Sequence, residues 1–353
     1  MEQQKNLHSD ITPARPGALS RDDSISMARL IALLLIITCH FFQVLEIELA
    51  YWFNVGVQVF LCISGFLYGK KEIGNVTGFY LSRLKKILIP YYIAFIPFCI
   101  VYFLFARNLF SLNAFLRGLI CDATLDGSGH LWFVPVILMC YLLTPLLQAF
   151  QARYAGNGKT LIWYTLVASA AIFITFGAFA GYYNPAWIIC YTLGYTLGVN
   201  DTKKYLSEKP IFAVFLLLAV IGNGIQILCD YVLPISMTGL FKLCYSVFSR
   251  FNHVFLGVFL FLLFHRLFRH TQFRGAMRKA LSISDRYSYE VYLVHLFVIK
   301  GPFSMLGITR FLPLNIVLTL IMIVVLTYLV KGIEQIVFRA LDRRKPEASE
   351  NGV

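Results

Sequence analysis

Met27-Ala-Arg29-Leu-Ile-Ala-Leu-Leu-Leu-Ile-Ile-Thr-Cys-His40 reads as part of a membrane-crossing helix, yet it carries two ionisable side chains. Arg29 and His40 stand eleven residues apart. At about 100° per residue that is roughly three helical turns, so both side chains fall on nearly the same face. At about 1.5 Å of rise per residue they lie ~16 Å apart along the axis, about half the thickness of a bilayer core. A charged residue that faces lipid costs at least ~2–3 kcal/mol, so helices turn such residues toward a protein interior or a wet cavity. Two readings of the pair stand side by side. Either Arg29 snorkels at one edge and His40 is a hydrogen-bonded core residue, or both face a functional cavity.

The rest of the chain extends the pattern. With 58% hydrophobic and 16% aromatic residues and a mean hydropathy of +0.70, a soluble globular domain is excluded. Apolar runs of spanning length recur at 27–45, 52–68, 87–106, 131–150, 161–181, 186–199, 211–229, 251–268, 287–306 and 311–330. They predict an all-α, polytopic membrane protein of about ten transmembrane helices. The run at 186–199 is short, so nine is the alternative count. Some 25 polar residues precede the first span, and its apolar run is too long for a signal-peptide core, so no cleavable leader is expected. The domain runs over 25–342, between a polar lead (1–24) and a charged tail (343–353) that both read as disordered.

Lysines and arginines set the expected orientation. With the N-terminus in the cytoplasm and sides alternating, 25 of them fall in cytoplasmic segments and six outside. The positive-inside rule therefore predicts both termini in the cytoplasm. The net charge of +13 follows from this topology and from anionic headgroups, with no nucleic acid needed. The basic stretch 265–286 suits an amphipathic helix on the inner membrane surface, or a site for an anionic cofactor. On the other side, 107–129 forms the longest loop, and its Asp122 and Asp126 suit either a polar ligand or plain solvation. The eight cysteines are scattered; Cys121 and Cys229 fall near the outer face, where a disulfide is open to them. No cluster of His, Cys or Asp has metal-ligand spacing, so no metal is expected.

Five segments taken in order make the chain specific. These are Arg29-x10-His40 with Ala32 between, and Gly56-Val-Gln-Val-Phe-Leu-Cys-Ile-Ser64-Gly65-Phe66-Leu67. Then come Phe79-Tyr-Leu-Ser-Arg83-Leu-Lys-Lys86-Ile-Leu-Ile-Pro90-Tyr91 and His130-Leu-Trp132-Phe133-Val-Pro135. Last is Ser288-Tyr289-Glu-Val-Tyr292-Leu-Val-His295. Each is weak alone. Together they cover nearly the whole domain, and the chain resembles the membrane acyltransferase type 3 family, which acylates hydroxyls of extracytoplasmic glycans. It departs from that family in two places. Ser26 stands where an acidic residue is common, and Lys86 stands where a second arginine is common, which weakens a bidentate phosphate contact there. No esterase-like domain of the kind that follows the last helix in some members is expected here.

The resemblance implies acetyl-coenzyme A or another short acyl-coenzyme A as donor substrate, with no permanently bound cofactor. The acceptor would be a cell-surface polysaccharide or lipid-linked glycan, and the setting a bacterial plasma membrane. The residue types fit such chemistry, which needs a base at the attacking oxygen, a held thioester and donors for the developing oxyanion. An ordinary imidazole, with pKa ~6.5, suits His40 as general base or as a transient acyl carrier. Arg29, Arg83 and Lys86 suit the donor's phosphates. Ser64, His130, Trp132, Tyr292 and His295 are the candidates for the acceptor or cavity, although Ser64 is equally a packing residue and Trp132 equally a belt residue. Glu290 reads as an interfacial residue near a helix start. A sugar exporter on the same fold is the competing reading. Pure transport does not demand a base opposite a phosphate-binding edge.

Overall fold

The computed structural model of the chain describes residues 22–153, 186–200, 209–233 and 238–343. The span predicted at 161–181 lies outside these residues, as do 1–21 of the polar lead and 344–353 of the tail. No strand occurs among the described residues. The helices are α1 (Asp23–Val44), α2 (Ala50–Phe53), α3 (Gly56–Gly69), α4 (Val76–Phe105), α5 (Leu112–Leu119) and α6 (Phe133–Arg153). Beyond the undescribed stretch come α7 (Ala186–Val199), α8 (Lys209–Ile227), α9 (Gly239–Phe268), α10 (Gly275–Ile299) and α11 (Leu312–Arg343).

Local chemistry sets these boundaries. Asp22 caps α1 by accepting from the Ser24 amide at 2.9 Å, and Asn75 caps α4 by accepting from Gly78 at 2.9 Å. Pro90 and Pro97 lie inside α4, where each removes one backbone donor. Packing against neighbouring helices tolerates that loss. Among the described residues seven segments are long and apolar enough to cross a membrane, and α8 and α11 among them turn broad aliphatic faces outward.

α10 differs from the span predicted at 287–306. It opens twelve residues earlier, at Gly275, and ends at Ile299. The charges of Arg278, Lys279, Asp285 and Arg286 lower its hydropathy, yet they belong to the helix. Its second half, Tyr292–Ile299, is buried on every side, so this helix runs through the interior. The stretch 265–286 is therefore not one surface helix: α9 closes at Phe268 and α10 opens at Gly275. The loop 107–129 is also structured. Tyr91 and Tyr92 of α4 donate to the Gly118 and Leu119 carbonyls of α5, at 2.5 and 2.8 Å, and Arg117 pairs with Asp122 at 2.7 Å. Cys121 and Cys229 are both free thiols.

The tightest helix crossing is between α3 and α7. A β-carbon on Gly65 or Gly69 would meet the Tyr191 or Tyr195 carbonyl oxygen at 2.0 or 2.2 Å. From the other side, a β-carbon on Gly194 or Gly198 would meet the Cys62 or Phe66 carbonyl oxygen, both at 2.1 Å. Each helix thus presents glycines four residues apart to the other's backbone. Where lipid offers no hydrophobic drive, such close contact supplies the dispersion energy that holds helices together. Backbone cannot move aside as a side chain can. Gly194→Ala is expected to cost about 1–3 kcal/mol, read as a lowered melting temperature in detergent. Gly224→Ala, where the added carbon meets nothing within 4 Å, is the control and should leave that temperature unchanged or slightly raised.

Candidate active site

α1 and α10 run side by side and in parallel, and polar residues meet at two levels. At the first, the Arg29 Nη1 donates to Asp285 Oδ1 at 2.6 Å, and the Ser26 hydroxyl donates to Asp285 Oδ2 at 2.6 Å. Ser26 stands where an acidic residue was looked for, and the acid that meets Arg29 comes instead from α10. At the second level, the rings of His40 and His295 have centroids 5.1 Å apart. Eleven residues separate the two levels on α1 and ten on α10, so one parallel register satisfies both.

Between the levels lies a cavity of about 180 Å³ bounded by α1, α3, α4, α6 and α10. Arg29 lines one part and Tyr292 another, with Ile36, Ser64, Ile87, Phe133, Tyr141, Ser288 and Tyr289 among the walls. The Tyr289 hydroxyl donates to the Ile87 carbonyl at 2.9 Å, tying α10 to α4. Of the residues singled out from the sequence, Arg29, Ser64 and Tyr292 thus share one space.

Arg83 reaches toward the same end by relay. Its Nη1 donates to the Tyr68 hydroxyl at 2.5 Å, and the Tyr68 ring lies 5.2 Å from that of Tyr141, a wall of the cavity. The buried Arg83 Nε has no partner. Lys86, one turn on, is exposed. The Arg83 guanidinium lies over the Tyr68 and Phe79 rings, at 5.6 and 5.7 Å from their centroids.

The far level gathers three imidazoles from three elements. His130, on the short 3-10 turn Gly129–Trp132, has its ring 4.7 Å from that of His295. Hydrogen bonds fix their tautomers, since a carbonyl or amide oxygen can only accept. His40 Nδ1 donates to Gln43 Oε1 at 2.7 Å, His295 Nδ1 to the Tyr292 carbonyl at 2.7 Å, and His130 Nε2 to the Leu293 carbonyl at 3.0 Å. The Tyr292 hydroxyl donates to the His130 carbonyl. His130 Nδ1 and His295 Nε2 are buried with no partner at all. An unmet buried acceptor costs about 1–3 kcal/mol.

Trp132 stacks on Trp187 at 3.7 Å, so one ring face is already occupied. Glu290 is turned into the protein rather than outward. It is 2% exposed and takes a hydrogen bond from Lys331 of α11 at 2.8 Å, and Lys331 also pairs with Glu334 at 3.0 Å. Among the described residues no group of His, Cys, Asp or Glu is arranged to hold a metal.

Sequence reading missed Asp285 and Trp187. Asp285 had a signal: it precedes His295 by nearly the interval that separates Arg29 from His40. A double-mutant cycle on Arg29→Ala and Asp285→Asn tests the first level. Thermal unfolding in detergent should give a coupling energy of about 0.5–3 kcal/mol, whereas additive losses would show that the pair does not hold the helices.

One family model, described as an acyltransferase domain, matches residues 22–332. No curated protein and no solved structure matches the chain. The family match covers all five of the sequence segments and both polar levels of α1 and α10, and the chain belongs to the membrane acyltransferase type 3 family.

Proposed function

We propose that this acyltransferase is an integral membrane O-acetyltransferase, taking acetyl or another short acyl group from cytoplasmic acyl-coenzyme A. The acceptor is a hydroxyl of an extracytoplasmic polysaccharide or lipid-linked glycan. About ten crossings, with both termini in the cytoplasm of a bacterial plasma membrane, complete the reading. The observation that carries it is the state of His40: half-buried, with Nδ1–H engaged by Gln43, it leaves Nε2 and its lone pair open. That is the form a general base takes before it receives a proton.

The donor side draws support from the other level. Arg29 gives Nη1 to Asp285, but a guanidinium carries five N–H donors, and the remainder suit a phosphate. With Arg83 and Lys86 on the same side, the donor's phosphates stay at the basic end while its pantetheine arm follows the cavity toward Tyr292 and the imidazoles. His40 Nε2 then takes the proton of the acceptor hydroxyl as its oxygen attacks the thioester carbonyl. The carbon–sulfur bond breaks, and the sulfur leaves with the proton as the free thiol.

Incorporation of labelled acetyl from acetyl-coenzyme A into surface glycan checks this reading, in membranes carrying wild type, His40→Ala or Arg29→Ala at matched expression. Loss of a general base lowers turnover by about 10²–10⁴-fold, so His40→Ala should abolish label although the protein still inserts. Arg29→Ala should raise the KM for the donor. Unchanged acylation with His40→Ala, or polymer export that depends on the protein while acylation does not, would remove the proposal.

A further inference from the structure

A groove of about 680 Å³ runs between α4, α10, α11 and the turn at 301–309. Its size falls within the about 300–1,000 Å³ of small-molecule sites. Ala94, Phe98 and Val101 of α4, Phe297 of α10, Met305 of the turn and Leu329 of α11 are among its walls. Ser304 is the one polar residue lining it, and its hydroxyl is spent on the Ile299 carbonyl at 2.7 Å. Val101 and Leu329 are exposed, so the groove opens toward the bilayer. Its back wall is the Phe98–Phe297 stack, with ring centroids 4.0 Å apart. The Phe297 ring lies 5.5 Å from that of His130, which leads through His295 to His40 at 4.7 and 5.1 Å. One end of the groove thus adjoins the level where His40 stands. The turn at that end is a built rim: Asn315 Nδ2 donates to the Leu306 and Thr309 carbonyls, both at 2.8 Å. Lys300 precedes the turn and Arg310 follows it. Both are exposed, and neither is in an ion pair among the described residues, whereas Arg117 is paired with Asp122. Lys300 stands within electrostatic reach of the His40 ring.

Lipid tails are as apolar as these walls, so the hydrophobic effect alone selects no occupant for a groove open to the bilayer. Selection falls to the head of the ligand. Lys300 and Arg310 are two of only six basic residues that the expected topology puts on this face, and both flank this one groove. Ammonium and guanidinium groups pair well with phosphate. We propose that the groove seats the hydrocarbon chain of a glycan linked to lipid through phosphate, with the phosphate at Lys300 and Arg310 and the sugars toward His40. The inference rests on the reading of this protein as a glycan O-acyltransferase, and it narrows the acceptor to a lipid-linked precursor. Such an acceptor arrives sideways through the bilayer. Its seated chain and its paired phosphate then hold the sugar hydroxyls beside the base, so that orientation is settled before the chemistry begins. An ordinary phospholipid shares the chain and the phosphate but brings no glycan to His40.

Two measurements test this on the full chain in phosphatidylcholine vesicles. In the first, a polyprenyl diphosphate with a diazirine in its chain labels the protein under light. Label should map to the α4 and α11 walls of the groove. A polyprenyl diphosphate-linked disaccharide should compete it away about tenfold better than phosphatidylglycerol does. Equal competition would make the groove a seat for ordinary lipid and overturn the proposal. Val101→Trp fills the groove from a position 40% exposed, and Arg310→Gln removes charge without adding bulk. Each should weaken labelling about tenfold. Val220→Trp on α8, 62% exposed and outside the groove, should label as wild type does. In the second, labelled acetyl-coenzyme A is offered with the host's lipid-linked glycan or with the same glycan cut from its lipid. Wild type should prefer the linked form about tenfold in kcat/KM, and Val101→Trp should lose that preference while keeping its KM for acetyl-coenzyme A. Equal use of the two forms overturns the groove assignment and leaves the acyltransferase reading standing. Transfer to neither form overturns the acetyl-coenzyme A reading, and the photolabelling still decides the groove.

Discussion

A helix that carries arginine and histidine into an apolar bundle must meet partners there, and α1 meets them on α10. Arg29 finds Asp285, and the His40 ring, hydrogen-bonded to Gln43 of its own helix, packs beside that of His295, eleven residues on along one helix and ten along the other. The cost of an unpartnered charge in this setting makes the pairing obligatory rather than incidental. It fixes the two helices as parallel neighbours and sets their register. α10 must therefore run through the interior despite its charges, and the groups around it follow: Tyr289 on the Ile87 carbonyl of α4, and Glu290 on Lys331 of α11. The glycine seam between α3 and α7 is the complementary device. It needs no polar group, because backbone contact itself supplies the adhesion.

Much of this was written locally. Hydropathy gave the apolar helices of the described residues, since burial in lipid demands a continuous apolar run. Helical periodicity put Arg29 and His40 on one face before any partner was known. The partners were harder to see. Asp285 lies 256 residues from Arg29, and only its spacing to His295, close to that between Arg29 and His40, marks it as more than a charged loop residue. The hydropathy reading that found the other spans opened this helix at 287, beyond the residue that mattered. Gly194 and Gly198 were missed for the same reason: a seam is a property of two helices, and on the sequence only Ser64, beside Gly65, was read as a packing residue. Glu290 looked interfacial because its apolar run was placed too late in the chain.

The site was legible in outline only. Arg29, Ser64 and Tyr292 meet at one cavity, and His40, His130 and His295 gather beyond it, although three separate segments supply them. Trp132 was read as an acceptor-site candidate or a belt residue, and one of its faces is covered by Trp187. No single-helix pattern forecasts such a stack, because the two tryptophans belong to different elements more than fifty residues apart.

The two polar levels are not equivalent, and the difference bears on where chemistry happens. At the first, structure accounts for the groups that meet: the Arg29 charge has the Asp285 carboxylate, and the carboxylate has both Arg29 and Ser26. At the second, the backbone and Gln43 take up the N–H groups, and two buried ring nitrogens have no protein donor. A folded protein satisfies its buried acceptors unless something else keeps them open, and cheaper side chains could have supplied the same N–H bonds. The paired level holds the helices in register. On the proposed function, the other level, with His40, is where the acceptor hydroxyl gives up its proton.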